Sequence, residues 1–231
     1  MDYSQFLALK QEIGLLIVFL LVFLYDTFAT PKGAKAVSGV AITLMGLVTL
    51  AGFCPLAGES TSAFAGMYVT NPTLVAIKNI LNVGTLIVLI QSLKWVNSDF
   101  ASIRRGEFFE LILVTLLGMY LMISSRHFLM FIIGLETASL PLCALVAFNK
   151  SVYESHEAAI KYVLTAVFSS AILLMGLSFV YGLCGSLYYS EIAAFAAGKF
   201  GVMMIVALAF VMAGFGFKIS LVPFHLWTAD V

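Results

Sequence analysis

Residues 200–222 read FGVMMIVALAFVMAGFGFKISLV, and apart from Lys218 and Ser220 every side chain in the run is apolar or absent. A helix needs about 20 mostly apolar residues to cross the hydrocarbon core of a bilayer, and this run is long enough. Working outward from it, segments of the same kind occupy residues 6–28, 37–57, 73–95, 107–125, 127–149 and 157–183. The pattern predicts an all-α fold, a polytopic transmembrane helix bundle of about seven spans. Pro223, just past the quoted run, predicts that the seventh helix is broken there, because proline lacks a backbone N–H and its ring clashes with the carbonyl four residues back. Gly33, Pro55, Gly58, Pro72 and Gly185 punctuate the connections, as turn residues should.

Composition agrees. Of 231 residues, 62% are hydrophobic and 10% charged, whereas a soluble domain carries about 25% charged residues. Mean hydropathy is +1.07. Lys and Arg number 12, as do Asp and Glu, and no basic block exists to hold nucleic acid. Cys54, Cys143 and Cys184 are far apart and form no CxxC, so no zinc or iron–sulfur site is indicated. Gly214-Phe215-Gly216 lacks the strand and third glycine of a dinucleotide fingerprint. The apolar run at residues 13–25 resembles a signal peptide only in length, since Asp2 and Glu12 flank it and no cationic leader precedes it. It reads as a retained first span.

A basic loop at residues 94–105 divides the chain into residues 1–106, with three spans, and residues 107–231, with four. Lys32, Lys35, Lys94, Arg104, Arg105 and Lys150 follow the odd spans, against Arg126 and Lys199 after the even ones. Cytoplasmic loops are rich in Lys and Arg, which predicts an N-terminus outside. No internal repeat is visible, and the abrupt end at Leu226-Trp227-Thr228-Ala229-Asp230-Val231 reads as a truncation.

Ionisable residues at membrane depth are the functional clues, because each costs about 2.5–3.5 kcal/mol at the bilayer centre. Glu136 lies mid-span in Gly134-Leu135-Glu136-Thr137-Ala138-Ser139-Leu140-Pro141. With no opposite charge within four residues, it needs a partner from another helix, as a proton carrier or as a neutral acid that ties helices together. Lys218 precedes Pro223 by five residues. A broken helix beside a buried cation is how transporters build ion sites, and a lysine snorkelling to the headgroups is the plainer reading. His225 follows Lys218 by seven residues and shares its face if the helix resumes past Pro223; it titrates near neutrality or sits at the interface beside Trp227. Lys161 pairs at helical spacing with Glu157, as a working lysine or as a surface pair. Lys78, early in the third span, reads as a snorkelling interface lysine. Glu107 and Glu110 open the fourth span, where the first turn of a helix welcomes acids.

Three stretches carry a resemblance. Gly216-Phe217-Lys218-Ile219-Ser220-Leu221-Val222-Pro223-Phe224-His225-Leu226-Trp227 resembles the seventh-helix signature of the antiporter-like subunits of respiratory complex I, the proton-translocating NADH–quinone oxidoreductase, and within them the subunit N family. Gly134-Leu135-Glu136 with Ser139-Leu140-Pro141 is similar to the fifth-helix motif of that family, and Glu157-Ala158-Ala159-Ile160-Lys161-Tyr162 to the start of its sixth helix. Ala229 departs from the family, which commonly has proline there, and family members continue through a second, inverted repeat. The resemblance implies that Glu136 and Lys218 act as a coupled pair in a proton half-channel, that Lys161 modulates them, and that His225 continues the path. It implies other complex I subunits as partners, neighbouring antiporter-like subunits above all, and a multi-pass place in the bacterial inner membrane. NADH, FMN, iron–sulfur clusters and quinone are then expected in partner subunits, with no cofactor or metal held by this chain. A subunit of a multi-subunit cation/proton antiporter and a non-transporting scaffold fragment are the competing readings.

Overall fold

The computed structural model of the protein describes residues 3–29, 36–53, 60–98, 104–198 and 201–231. Gly33, Cys54, Pro55 and Gly58 lie outside the described residues, as do Lys32, Lys35 and Lys199. After a 3-10 helix, Tyr3–Leu9, come α1 (Lys10–Phe28), α2 (Val37–Phe53), a hairpin of β1 (Thr61–Ala63) and β2 (Tyr68–Thr70), α3 (Pro72–Val96), α4 (Arg105–Ile123), α5 (Phe128–Val146), α6 (Tyr153–Cys184), α7 (Tyr189–Gly198), α8 (Val202–Lys218) and α9 (Leu226–Asp230). The structure is a polytopic helical bundle. Five helices, α1, α3, α4, α5 and α6, are long and apolar enough to cross a membrane. The shorter apolar helices α2 and α8 have 17 residues each, a rise of about 26 Å against a hydrocarbon core of about 30 Å.

Two compact units are present. The first comprises Met1–Ser125 with Met130–Leu145, and the second Arg126–Leu129 with Val146–Val231. In the first, Leu15, Val18 and Val22 of α1 and Phe109, Leu113, Leu116 and Tyr120 of α4 form inward stripes at helical spacing. They bury against Val37, Ala41 and Met45 of α2 and Leu89 and Val96 of α3. The outward face of α1 (Ile17, Leu20, Leu21, Leu24) is as apolar as the inward one, as a lipid-facing helix requires.

Apolar burial is no driving force between helices already in lipid, so close approach of small residues takes its place. Gly118 of α4 meets Gly134 and Ala138 of α5, which lie one turn apart. A methyl at Gly118 would stand 2.4 Å from the Ala138 nitrogen and 2.6 Å from the Gly134 carbonyl oxygen. In the second unit the most extensive packing joins α6 to α8, through Gly176 against Val211 and Gly214 against Leu173.

Turn chemistry explains several boundaries. Asn71 caps α3 by accepting the Leu74 N–H at 2.8 Å, with Pro72 in the first turn. Gly185 closes α6 at φ 71°, a conformation glycine adopts without steric cost.

Two elements depart from the reading of the sequence. The connection between α2 and α3 holds a hairpin that the sequence reading did not include: Phe64, Ala65 and Gly66 all take positive φ, and the first two are residues that give no turn signal. Helix α7, ten residues long, fills the connection between the sixth and seventh spans.

The break near Pro223 is present but differs in form. Helix α8 ends at Lys218, and residues 219–225 form turns before α9. The Ile219 carbonyl is therefore not released from within a continuing helix. Ile219 is the C-cap, because Ser220 takes φ 56° and turns the chain out of the helix before the proline is reached.

The α4–α5 contact generates one expectation. Gly118→Ala should cost about 1–3 kcal/mol by overpacking, while Gly84→Ala, whose added methyl meets nothing within 4 Å, should be neutral or slightly stabilising. Denaturant titration in detergent measures both, and equal midpoints would refute the close-packing account.

Candidate functional site

In the first unit, Glu136 stands at the middle of α5, half-buried. Ser139 Oγ donates to its Oε2 at 3.5 Å, a long contact. Pro141, inside α5, has no N–H for the Thr137 carbonyl. The acid therefore stands beside a gap in the backbone ladder.

In the second unit, Lys218 ends α8 with its Nζ buried. The helix end behind it is held by several bonds. Ile219 N–H donates to the Phe215 carbonyl at 3.0 Å, Ser220 N–H to Phe217 at 3.1 Å and Leu221 N–H to Gly216 at 2.7 Å. Trp227 Nε1–H, from α9, donates to the Phe217 carbonyl at 3.1 Å, and its ring stacks on Phe217 at 5.5 Å and tilts against Tyr162 of α6 at 5.3 Å. Four residues before Lys218, the Gly214 carbonyl accepts Ser169 Oγ of α6 at 3.0 Å. The lysine is thus set by its backbone, which α6 and α9 clamp.

Lys161 forms the expected pair with Glu157, Nζ to Oε1 2.8 Å, with the two side chains 44% and 50% exposed. A pair so open contributes only about 0.3–0.5 kcal/mol. His225 does not share a helical face with Lys218: it is exposed and stands at the N-cap of α9, six non-helical residues after α8 ends. The two-turn spacing fails because the helix does not run through Pro223.

Sequence reasoning misplaced Lys78. It is fully buried, 0% exposed, rather than snorkelling. Its Nζ lies 2.5 Å from Oε1 of Glu12, itself 4% exposed, and 3.2 Å from the hydroxyl of Tyr68. That hydroxyl donates to the other Glu12 oxygen at 2.9 Å. Burial, then the Glu12 charge, pushes the Tyr68 phenol above its usual pKa, which keeps it a donor. The rings of Tyr68 and Tyr120 flank the ammonium, each centroid 5.4 Å away. The missed signal was the spacing Lys78, Asn79, Asn82, a polar stripe on one face of an apolar helix.

Glu107 is exposed and Glu110 half-buried. Both line a shallow opening in the first unit with Phe19, Leu111, Val114 and Ala144.

The arrangement defines a class: a membrane helix bundle that keeps charged and polar side chains inside its apolar frame and interrupts its helices beside them. Residues 125–231 match the family described as NADH:quinone oxidoreductase/Mrp antiporter, transmembrane. The whole chain is similar to proteins named NADH-quinone oxidoreductase subunit N. That of Azobacteroides pseudotrichonymphae genomovar. CFP2 is 45% identical over 231 residues, all of this chain and 48% of the relative. That of Phocaeicola vulgatus is 42% identical over 230 residues, again 100% and 48%. Among solved structures, respiratory complex I from Thermus thermophilus with bound aureothin contains a chain with TM-score 0.75 and 30% identity, over 96% of this chain and 47% of that one. The membrane-bound sulfane sulfur reductase, an archaeal respiratory membrane complex, shares the fold at TM-score 0.77 and 20% identity. The chain spans about half the length of the curated relatives it matches.

Ser169→Ala removes the hydroxyl that holds the Gly214 carbonyl. It should lower stability by about 0.6 kcal/mol, the average for such bonds between membrane helices, as read by unfolding in detergent. A gain in stability would show that the bond does not hold α8.

Proposed function

We propose that this chain is part of a proton-translocating membrane subunit of an NADH–quinone oxidoreductase, with Glu136, Lys161, Lys218 and His225 as its proton-handling residues. One observation carries the reading: Lys218 presents a buried ammonium at the interrupted end of α8, within the segment that matches the antiporter family. Similarity to subunit N over the full chain supports it. No redox centre is assigned to this chain. NADH, FMN, iron–sulfur clusters and quinone belong to partner subunits, and neighbouring antiporter-like subunits and lipid cover the exposed apolar faces. The assembly lies in the bacterial inner membrane with the N-terminus outside.

Desolvation makes a lysine give up its proton more readily, and a nearby carboxylate opposes this. Two such groups titrate as one coupled system, so a shift that changes their separation moves a proton. Turns that end α8 supply an element able to shift, since residues 219–225 hold their form by a few hydrogen bonds and the Trp227 clamp. The electron-transfer reaction in the partner subunits would drive that shift, and Lys218 would lose and regain one proton per cycle.

A subunit of a multi-subunit cation/proton antiporter is the second reading, because the matched family includes the Mrp antiporters. It needs the same buried charges but not NADH.

The test uses inverted membrane vesicles containing the assembled complex with the complete subunit. Lys218→Ala should abolish or sharply reduce NADH-driven acidification, measured beside NADH–quinone electron transfer. Lys218→Arg should pump poorly too, because arginine does not release its proton. Normal acidification by Lys218→Ala would overturn the proposal, and sodium-dependent growth of a deletion strain with intact NADH oxidation would favour the antiporter.

A further inference from the structure

The first unit holds titratable side chains that the Glu136 and Lys218 machinery does not use. We propose that Glu12, Lys78 and Tyr68 form a second proton-transfer site, at the end of the first unit closed by the β1–β2 hairpin.

The geometry is that of a relay. Glu12 faces Lys78 from α3 through Oε1 and Tyr68 from β2 through Oε2. Tyr68 lies on the hairpin, not on a helix. Its bond to Oε2 leaves Oε1 to the lysine, 2.5 Å away. The hairpin is in turn anchored: Val69 N–H donates to the Ser124 carbonyl at 2.9 Å and Phe64 N–H to Gln5 Oε1 at 3.1 Å.

The surroundings are polar where an anchoring bundle would be apolar. Asn82, one turn beyond Lys78, accepts from Tyr120 of α4. Asn79 accepts from Gln11 Nε2 at 3.2 Å and donates to the Gly52 carbonyl at 2.5 Å. Gln11 Oε1 is buried with no hydrogen-bond partner among the described residues. A buried acceptor of this kind calls for a water; Gln11 adjoins Glu12 in sequence, and its partner Asn79 adjoins Lys78.

The chemistry balances within the site and water. An N–H bond of the Lys78 ammonium breaks and an O–H bond to Glu12 Oε1 forms, which turns an ion pair into a neutral pair without change of net charge. The neutral amine then takes a proton from hydronium, and the Glu12 carboxyl gives its proton to water. One proton enters and one leaves. Burial penalises the two ions, which brings the neutral pair within reach of the ionic one.

The alternative is a structural tie that pins the hairpin to α1 and α3. Two variants separate the readings, in the complete subunit within the assembled complex in inverted vesicles. Lys78→Arg keeps the charge and the donors but cannot release a proton. Glu12→Gln with Lys78→Met removes both charges and so leaves no buried ion unpaired, a replacement that is often neutral or stabilising for a purely structural pair. A relay predicts that these variants assemble, transfer electrons and yield fewer protons per NADH than wild type. The double variant decides if arginine does not fit. A wild-type proton yield from either variant would overturn the proposal, as would failure of both to assemble, which would make the cluster a tie.

Because the readout rests on the proposed pumping function, Lys218→Ala runs in parallel. Normal pumping by that variant removes the role of Lys218, whereas loss in the Lys78 variants still assigns the second site.

Discussion

A bilayer core offers no water to a polar group, and the internal order of this protein follows from how each group is satisfied without it. Short hydroxyls turn back on their own helix. Thr49 donates to the Met45 carbonyl at 2.8 Å, Thr115 to Leu111 at 2.9 Å and Ser170 to Ala166 at 3.0 Å. Amides reach one helix further, as Asn79 does to Gly52 and Asn82 to Tyr120. Charges need the most and are served from several elements, so that Lys78 draws on α1, β2 and α4 together.

The same constraint sets how the helices touch. Lipid tails wet an apolar helix as well as another helix does, so leucine-rich faces alone select no partner. Selection falls to the places where a hydrogen replaces a methyl. Gly118 with Gly134, and Gly214 against Leu173, bring backbones within distances that any side chain would forbid. Each such contact lies close to a functional candidate: Gly134 is two residues from Glu136, and Gly214 four from Lys218. Packing that fixes the helix also fixes the charge it carries.

The spans were legible because an apolar run of about 20 residues has few other meanings. The Glu157–Lys161 pair was legible because both partners lie on one helical turn. Lys78 was not, since its acid is 66 residues away and a lone lysine near a helix start reads as an interface residue. The hairpin that covers it was hidden as well: Phe64 and Ala65 enter positive φ under tertiary pressure, not by preference. His225 failed for a related reason. Residue spacing measures a face only while the helix persists, and Ser220 turns the chain out of α8 before Pro223 comes into play.

The distance along the chain between Glu12 and Lys78 has a consequence for biogenesis. At roughly 5–20 residues per second, translation makes the lysine about 3–13 s after the glutamate. Glu12 therefore waits for the partner it has in the folded protein until α3 is made. The pair that ties α1 to α3 can form only once both helices have been made.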